Sequence, residues 1–552
     1  MDDTTAGKDE GGSRPQPQPS TPIYSVPATA IRRFGARVLD PDTAEVLGSQ
    51  SPVQPTVYIP DRLVLPGLKG GRLDRTGGPL ESLRALGDRA DMQFGVEVIE
   101  RGTFDLANRL GQAERLDSVA HEVVRLTGYA DRLGGPIDAW SVLQRARAEN
   151  LPEVDAWSLC HVMMATGFAS GVGYASGVGY ASGVGYASGV GYASGVGYAS
   201  GVGYASGVGY ASGVGYASGV GGGPGAADGR APVVVGMAAP RSTSTSGPVV
   251  AILDTGLGEH PWFGPRSNVE RDPRIHGEPI GLRFPPEDDP EGSGVTLDHL
   301  NRSLDPLAGH GTFIAGIIRQ RCPDSRLVIV PVMYGDGAAD EMDLIDALQK
   351  LLMRQWARLD GGDKGEPLDV VSLSLGYYHE TPQSVEHESA LFALIRALGE
   401  AGVSVVAAAG NGATTQPFWP AALADVPGRG VPVVSVGASN PPGAAVSLFS
   451  NTGPWVSCYR PGVAVVSTMP TTFNSSLRGS VFVPEATNPD RGTSDPDDYS
   501  GGFGVWSGTS FAAPAFVGEL ACLLVDKPLD KVTRSRITAL RRLLKRCIRG
   551  TS

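Results

Sequence analysis

From about residue 247 onward, apolar runs of strand length alternate with helical stretches. Val249–Leu253, Leu327–Val332, Val370–Leu375, Val403–Ala408 and Val433–Val436 are mostly β-branched and uninterrupted by charge. Between them fall the helix-length segments His310–Ile318, Glu341–Leu359, Glu386–Ala401 and Ser510–Leu524. A strand that is apolar on both faces needs cover on both faces, so the alternation predicts an α/β fold. Its mostly parallel sheet carries helices on either side, and its functional groups gather at the carboxyl ends of the strands.

The 552 residues exceed one such domain, and the remainder divides into distinct textures. Residues 1–55, rich in Pro, Gln, Ser and Thr, lack apolar periodicity and read as a disordered tail. Residues 56–165 form a small α/β segment, with strands expected at Val57–Ile59 and Phe94–Ile99. Helices are expected there at Glu81–Gly87, Leu116–Leu126 and Ile137–Ala148. In 166–246, nine consecutive six-residue units, FASGVG and then YASGVG, run from Phe168 to Gly221. They read as a Gly/Ser-type flexible linker; a parallel β-helix coil with valines inside is the alternative. The 247–530 stretch holds the α/β body. In 531–552, basic residues without acids surround Ile537, Leu540, Leu544 and Ile548 at helical spacing, which predicts a terminal helix packed on the body. Attachment to an anionic surface is the alternative.

Charge and cysteine content exclude several functions. Forty-six Lys and Arg face 58 Asp and Glu, a net charge of −12, so no overall basic field recruits nucleic acid. The five cysteines, Cys160, Cys322, Cys458, Cys522 and Cys547, show neither disulfide pairing nor zinc-knuckle spacing and read as free thiols. No apolar window is long enough for an integral membrane segment, the first residues lack a secretory pattern, and the residues after Arg32-Arg33 lack the apolar stretch of an export signal. These features predict a cytoplasmic protein.

Four stretches carry chemistry. VVAILDTG places Asp254 at a strand's carboxyl end, where a carboxylate can orient a histidine, although Asp-Thr-Gly is also an ordinary turn. GHGTFIAG sets His310 between glycines that leave room for a substrate backbone. AAAGN presents Asn411 in a glycine-flanked loop, as an oxyanion donor or a left-handed turn residue. GTSFAAP puts Ser510 at the start of a helix, a position that favours developing negative charge and equally suits a capping serine. All four lie on one side of the inferred sheet.

The order Asp254, His310, Ser510 is that of subtilisin, and the chain resembles the subtilase (subtilisin-like) serine peptidase family over residues 247–526. That resemblance implies a serine endopeptidase acting on peptides or proteins through an acyl-enzyme, without a cofactor. It implies Ser510 as nucleophile, His310 as general base and then acid, Asp254 as its orienter and Asn411 as oxyanion donor. It further implies that Ser372–Gly376, through Ser374, Leu375 and Gly376, pairs with substrate backbone, with Ala409 and Gly410 on the facing wall. Phe313 and Phe511 stand where the family usually has histidine and methionine. GEPIGLRFPPEDDPEGSG and residues 471–504 read as surface insertions. The second contains Asp495, Asp497 and Asp498 without EF-hand spacing, so no metal site is assigned. Residues 56–165 fit either an accessory domain or the inhibitory pro-domain found in relatives. An inactive subtilase scaffold used for binding is the alternative function; an esterase fits less well because the nucleophile-elbow glycine is missing. The substrate and the oligomeric state stay open.

Overall fold

The computed structural model describes residues 26–44, 46–47, 53–129, 136–166, 230–244, 247–265, 267–382, 390–441, 443, 445–479, 481–525, 527 and 534–549. The hexapeptide repeat, and with it the choice between linker and coil, lies outside the described residues.

Seven parallel strands form the main sheet, in the order Val269–Glu270, Arg326–Pro331, Val249–Asp254, Val370–Leu373, Ser404–Ala408, Val434–Ser439 and Cys458–Pro461. Side chains alternate across it, as strand geometry requires. Val249, Ala251 and Leu253 pack with the helices Glu341–Leu359 and Ala390–Glu400, while Val250 and Ile252 pack with His310–Arg321 and Thr509–Leu524. The predicted two-sided cover is therefore present, and the α/β fold class holds.

The Thr509–Leu524 helix is buried along nearly its whole length, with Phe511, Phe516, Val517 and Leu520 fully inside. A helix apolar all round belongs in a core. Pro514 within it has no N–H for the carbonyl of Ser510, and Ser374 Oγ donates to that carbonyl instead, at 3.3 Å. The helix proline is thus tolerated because a residue of the facing strand segment supplies the missing donor.

The N-terminal part builds an antiparallel sheet in the order Ser158–Ala165, Thr56–Pro66, His121–Gly128, Phe94–Val98. The helices Pro79–Gly87 and Ala139–Ala148 make the crossovers, a split β-α-β-β-α-β arrangement. Expectation and structure differ in two places. Leu116–Leu126 is not one helix: a short helix, Ala113–Asp117, ends before a strand, His121–Gly128. The β-branched pair Val123 and Val124 is buried in that strand's sheet, and packing overrides the helical spacing. Within 1–55, residues Ala28–Phe34 form a helix and Arg37–Leu39 a strand paired with Thr56–Tyr58. Arg33 of this helix meets Asp336 of the main domain at 2.7 Å, so the segment is docked rather than a loose tail.

The N-terminal sheet continues into the main domain. Ser158–Ala165 pairs antiparallel with Ala338–Asp340 on one side and with Leu375–Gly376 at its end. Arg62 with Asp340 at 2.5 Å and Arg101 with Asp343 at 2.9 Å add cation-to-acid matches along this seam. The residues flanking Glu341 thereby receive N-terminal cations at the start of a helix whose own dipole favours acids.

At the other end, Arg534–Arg549 is a helix with Leu540, Leu544 and Cys547 buried against the body, as the sequence spacing predicts. Four cysteines are buried and Cys522 is exposed, all as free thiols. No described helix is long and apolar enough to cross a membrane. Truncating Leu544 to Ala should lower unfolding stability by about 2–5 kcal/mol, while Lys545→Ala on the exposed side should change it by less than about 0.5 kcal/mol. Thermal and urea unfolding of the two variants checks this; equal, small effects would mean that the helix does not depend on its packed face.

Candidate functional site

Asp254 closes its strand and is 1% exposed. Its Oδ1 lies 2.7 Å from His310 Nδ1 and also accepts the Thr255 N–H at 2.9 Å. His310 opens the His310–Arg321 helix, fully buried, with Trp506 at 5.6 Å and Phe511 at 5.4 Å between ring centroids. Gly311 explains how the helix comes so close. A Cβ there would stand 2.2 Å from the Gly256 carbonyl oxygen, so only glycine lets the histidine reach the aspartate turn. Phe313 and Phe511 pack together at 4.6 Å and with Trp506, forming an apolar wall behind the imidazole.

Ser510 sits at the second position of the buried helix, after a glycine turn. Asn411 lies beyond the Ser404–Ala408 strand, and its Oδ1 accepts from Thr509 N at 3.0 Å and Thr509 Oγ1 at 2.9 Å. This fixes the amide, because the oxygen is occupied by donors and Nδ2 must point away. It points to a carbonyl: Asn411 Nδ2 donates to the oxygen of Thr166 at 2.5 Å, and the Ser510 N–H donates to the same oxygen at 3.2 Å. Two convergent donors on one carbonyl is the geometry that stabilises an oxyanion.

Thr166 thus stands at the centre of the site, and sequence reasoning did not find it. Its N–H donates to Ser374 O at 2.9 Å, and Ala165 and Met164 lie opposite Leu375 and Gly376. The predicted pairing edge at Ser374, Leu375 and Gly376 is therefore occupied by the chain's own Ser158–Thr166 segment. A second edge, missed in the sequence, binds the segment from the other side: Ala165 N–H donates to Gly337 O at 2.7 Å, and Ala338–Asp340 continues the pairing. Ala409 and Gly410 make their contacts beside the Ser510 turn. Gly410 N–H donates to Thr509 Oγ1, and the Ala409 carbonyl accepts from Asn451 Nδ2 at 2.8 Å. Asn451 also ties down the Asn411 loop by accepting from Gly412 N at 2.9 Å.

The expected succession from carboxylate to imidazole to hydroxyl is closed at one joint and open at the other. His310 Nε2 has no hydrogen-bond partner among the described residues. Ser510 Oγ lies 2.8 Å from Thr166 Oγ1, which also donates to Ser374 O at 3.0 Å. Ser510 Oγ also lies 3.5 Å from the Ser374 carbonyl, so both hydroxyls gather at that oxygen rather than at His310.

The stretch read as a surface insertion after Asp254 reaches inside. Glu291 is fully buried beneath the Asp254 turn; its Oε1 is bonded to Thr255 Oγ1 and accepts from Gly311 N at 3.0 Å, and its Oε2 accepts from Thr312 Oγ1 at 2.6 Å. Burial pushes its carboxyl up from 4.5 to about 7, assisted by the nearby acids Asp289 and Asp254 and opposed by the two threonine hydroxyls. In the other insertion, the acids serve turn geometry: Asp497 accepts from Leu477 N and Asp495 from Asp497 N.

A parallel α/β sheet thus presents at one end an Asp–His pair, a serine at a helix N-terminus and two N–H donors on one carbonyl. Residues 245–548, more than half of the chain, match the Subtilase family, and the chain belongs to it. Among relatives, it is 29% identical to subtilisin BL of Lederbergia lenta over 249 residues, 44% of this chain and 73% of that protein. It is 30% identical to a thermophilic serine proteinase of Bacillus sp. (strain AK1) over 184 residues, 31% of this chain and 39% of that one. The subtilase-type proteinase RRT12 of Saccharomyces cerevisiae is 26% identical over 220 residues, 39% of this chain and 36% of its own length. A solved cold-adapted subtilisin-like serine proteinase aligns with 54% of this chain and 82% of its own, at 22% identity and a TM-score of 0.32.

The buried Glu291 sets a pH dependence. Its folded carboxyl holds a proton up to about 7, whereas the unfolded one releases it near 4.5, so between these values the unfolded state binds fewer protons and stability falls as pH rises. The loss amounts to about 3 kcal/mol and levels off above pH 7. Thermal midpoints of the parent and Glu291→Gln, followed across this window, should diverge in favour of the variant; parallel curves would contradict the assignment.

Proposed function

We propose that the chain is a serine endopeptidase whose first substrate is its own Thr166–Gly167 bond, and that the segment ending at Thr166 then inhibits the site. The observation that carries this reading is the Thr166 carbonyl, which receives Asn411 Nδ2 at 2.5 Å and Ser510 N–H at 3.2 Å while its strand is paired on both edges. A docked strand that merely fills a groove has no need to aim its last carbonyl at those two donors. Membership of the Subtilase family supports peptides or proteins as the substrate class.

In this reading, catalysis begins when the Ser510 hydroxyl leaves Thr166 Oγ1 and turns to His310 Nε2. Its oxygen attacks the Thr166 carbonyl carbon, and His310 takes the proton while Asp254 steadies the imidazolium through Nδ1. Negative charge collects on the oxygen already held by Asn411 and the Ser510 amide. Collapse breaks the bond to Gly167, whose nitrogen receives the proton from His310, and Thr166 remains as an ester on Ser510. Water, activated by the same imidazole, releases it as a carboxylate. Other peptides would use the same backbone pairing once the Ser158–Thr166 strand has left, with main-chain hydrogen bonds giving affinity for extended chains.

Two outcomes test this. Intact-mass analysis and N-terminal sequencing of purified protein should find a piece beginning at Gly167, absent in Ser510→Ala. Asn411→Ala should slow its appearance on the order of 10²–10³-fold, the cost known for removing a subtilisin oxyanion donor. A Ser510→Ala chain cut at the same bond would refute the nucleophile. Removing the hydroxyl that contacts Ser510 Oγ, by Thr166→Val, should speed the cut by roughly 2–10-fold, the worth of one ordinary hydrogen bond; a slower cut would show that the hydroxyl aids rather than restrains the nucleophile.

A further inference from the structure

On the seam between the N-terminal sheet and the main domain lies a polar cluster that the Ser510 chemistry does not use. His161, on the Ser158–Ala165 strand, is fully buried. Its Nδ1 is 2.8 Å from Glu341 Oε2, and its Nε2 is 3.2 Å from Glu380 Oε1. Its backbone N–H donates to the same Glu341 oxygen at 2.9 Å. His379 Nδ1 stands 2.8 Å from Glu380 Oε2. Tyr377 stacks on the His161 ring at 4.2 Å and fixes its plane. His379, Glu380 and Glu341 are each 1% exposed.

Two carboxylates taken out of water cost several kcal/mol each unless positive charge and donors compensate them. Here the imidazoles carry the compensation: His161 lies between Glu341 and Glu380, and Glu380 Oε2 meets His379 Nδ1 at 2.8 Å, a nitrogen that also accepts the Thr381 N–H at 3.0 Å. A divalent cation between the two rings and Glu380 would take over that role from ring protons.

Donor atoms of His161, His379 and Glu380 already lie within 4.8 Å of one another. Tetrahedral ligands at zinc bond lengths stand about 3.3 Å apart, so small side-chain rotations bring His161 through Nε2, His379 and Glu380 into coordination, while Glu341, on the opposite ring nitrogen at 2.8 Å, orients the His161 ring from outside. Two imidazoles and one carboxylate suit a zinc-class ion, whereas calcium and magnesium prefer oxygen alone. We propose that His161, His379 and Glu380 bind one zinc-class divalent cation that clamps the Ser158–Ala165 strand to the main domain.

His161 comes from one domain and the other two ligands from the other. The complete site therefore exists only in the docked state, and by linkage the ion stabilises that state over the undocked one. The clamp holds the strand that ends at Thr166, so a bound ion keeps the groove along Leu375–Gly376 filled. The inference stands on the docked strand and does not require Ser510 to cut it.

Ser510→Ala full-length protein, which keeps the two domains joined, provides the test. After chelator treatment and desalting, it is titrated with zinc chloride and, in parallel, cobalt chloride. Bound metal is measured by plasma mass spectrometry and cobalt geometry by visible absorption. The expected result is one zinc per chain and a tetrahedral cobalt spectrum, with affinity falling at least 10–100-fold in His161→Asn and Glu380→Gln, the cost of losing even an outer-shell partner. Adding His310→Ala should leave binding intact, which separates this site from the Asp254–His310 pair. Hydrogen exchange on the unsubstituted ligand set should show zinc slowing exchange along residues 158–165, a readout independent of whether the variants fold. Absence of retained metal, binding unchanged in His161→Asn and Glu380→Gln, or binding lost with His310→Ala would each overturn the proposal.

Discussion

The backbone pairing of Ser158–Ala165 with Ala338–Asp340 and Leu375–Gly376 governs how the rest of the molecule is arranged. It joins an antiparallel sheet to a parallel α/β body and brings Thr166 to Ser510. Unpaired strand edges are exposed templates, and here the main domain offers two of them on either side of one groove. Only an extended chain satisfies both, so the geometry selects a strand before any side chain is consulted. Side chains then set the register: Arg62 on Asp340, Arg101 on Asp343 and Arg33 on Asp336 match N-terminal cations to acids of the main domain.

Around the serine, buried polar groups are placed by neighbours that leave them few alternatives. Thr509 occupies the Asn411 oxygen and so aims its amide. Pro514 frees the Ser510 carbonyl, which Ser374 then takes. Gly311 lets the His310 helix rest on the Gly256 carbonyl, and Glu291 gathers the Thr255 and Thr312 hydroxyls beneath. The apolar wall of Trp506, Phe313 and Phe511 excludes water from the imidazole and strengthens every dipole directed at the site. Ser510 Oγ itself rests against Thr166 Oγ1 of the resident strand and the Ser374 carbonyl.

Much of this was legible in the sequence, for identifiable reasons. Strands such as Val249–Asp254 are apolar on both faces because helices cover both, and that leaves a plain signal. Asp254, His310, Asn411 and Ser510 stand out because each needs glycines beside it for close approach. The Ser158–Ala165 strand was not read, since Cys, His and Met give weak strand preference and its partners lie far along the chain. Glu291 was hidden in a polar, proline-rich stretch whose composition looks like surface, and its burial depends on two threonines elsewhere. The Leu116–Leu126 stretch has helical spacing, yet Val123 and Val124 are taken by the sheet. In each case the deciding contact is tertiary.

The central claim is that the resident strand, by holding Thr166 against Ser510, keeps the nucleophile from other acyl groups. Labelling of Ser510 by a fluorophosphonate probe tests it most directly, comparing a chain kept in one piece by Gly167→Pro with cut protein washed free of its N-terminal piece. The account predicts that the intact chain stays unlabelled over the time in which the cut protein labels to completion. Equal labelling of both would contradict it.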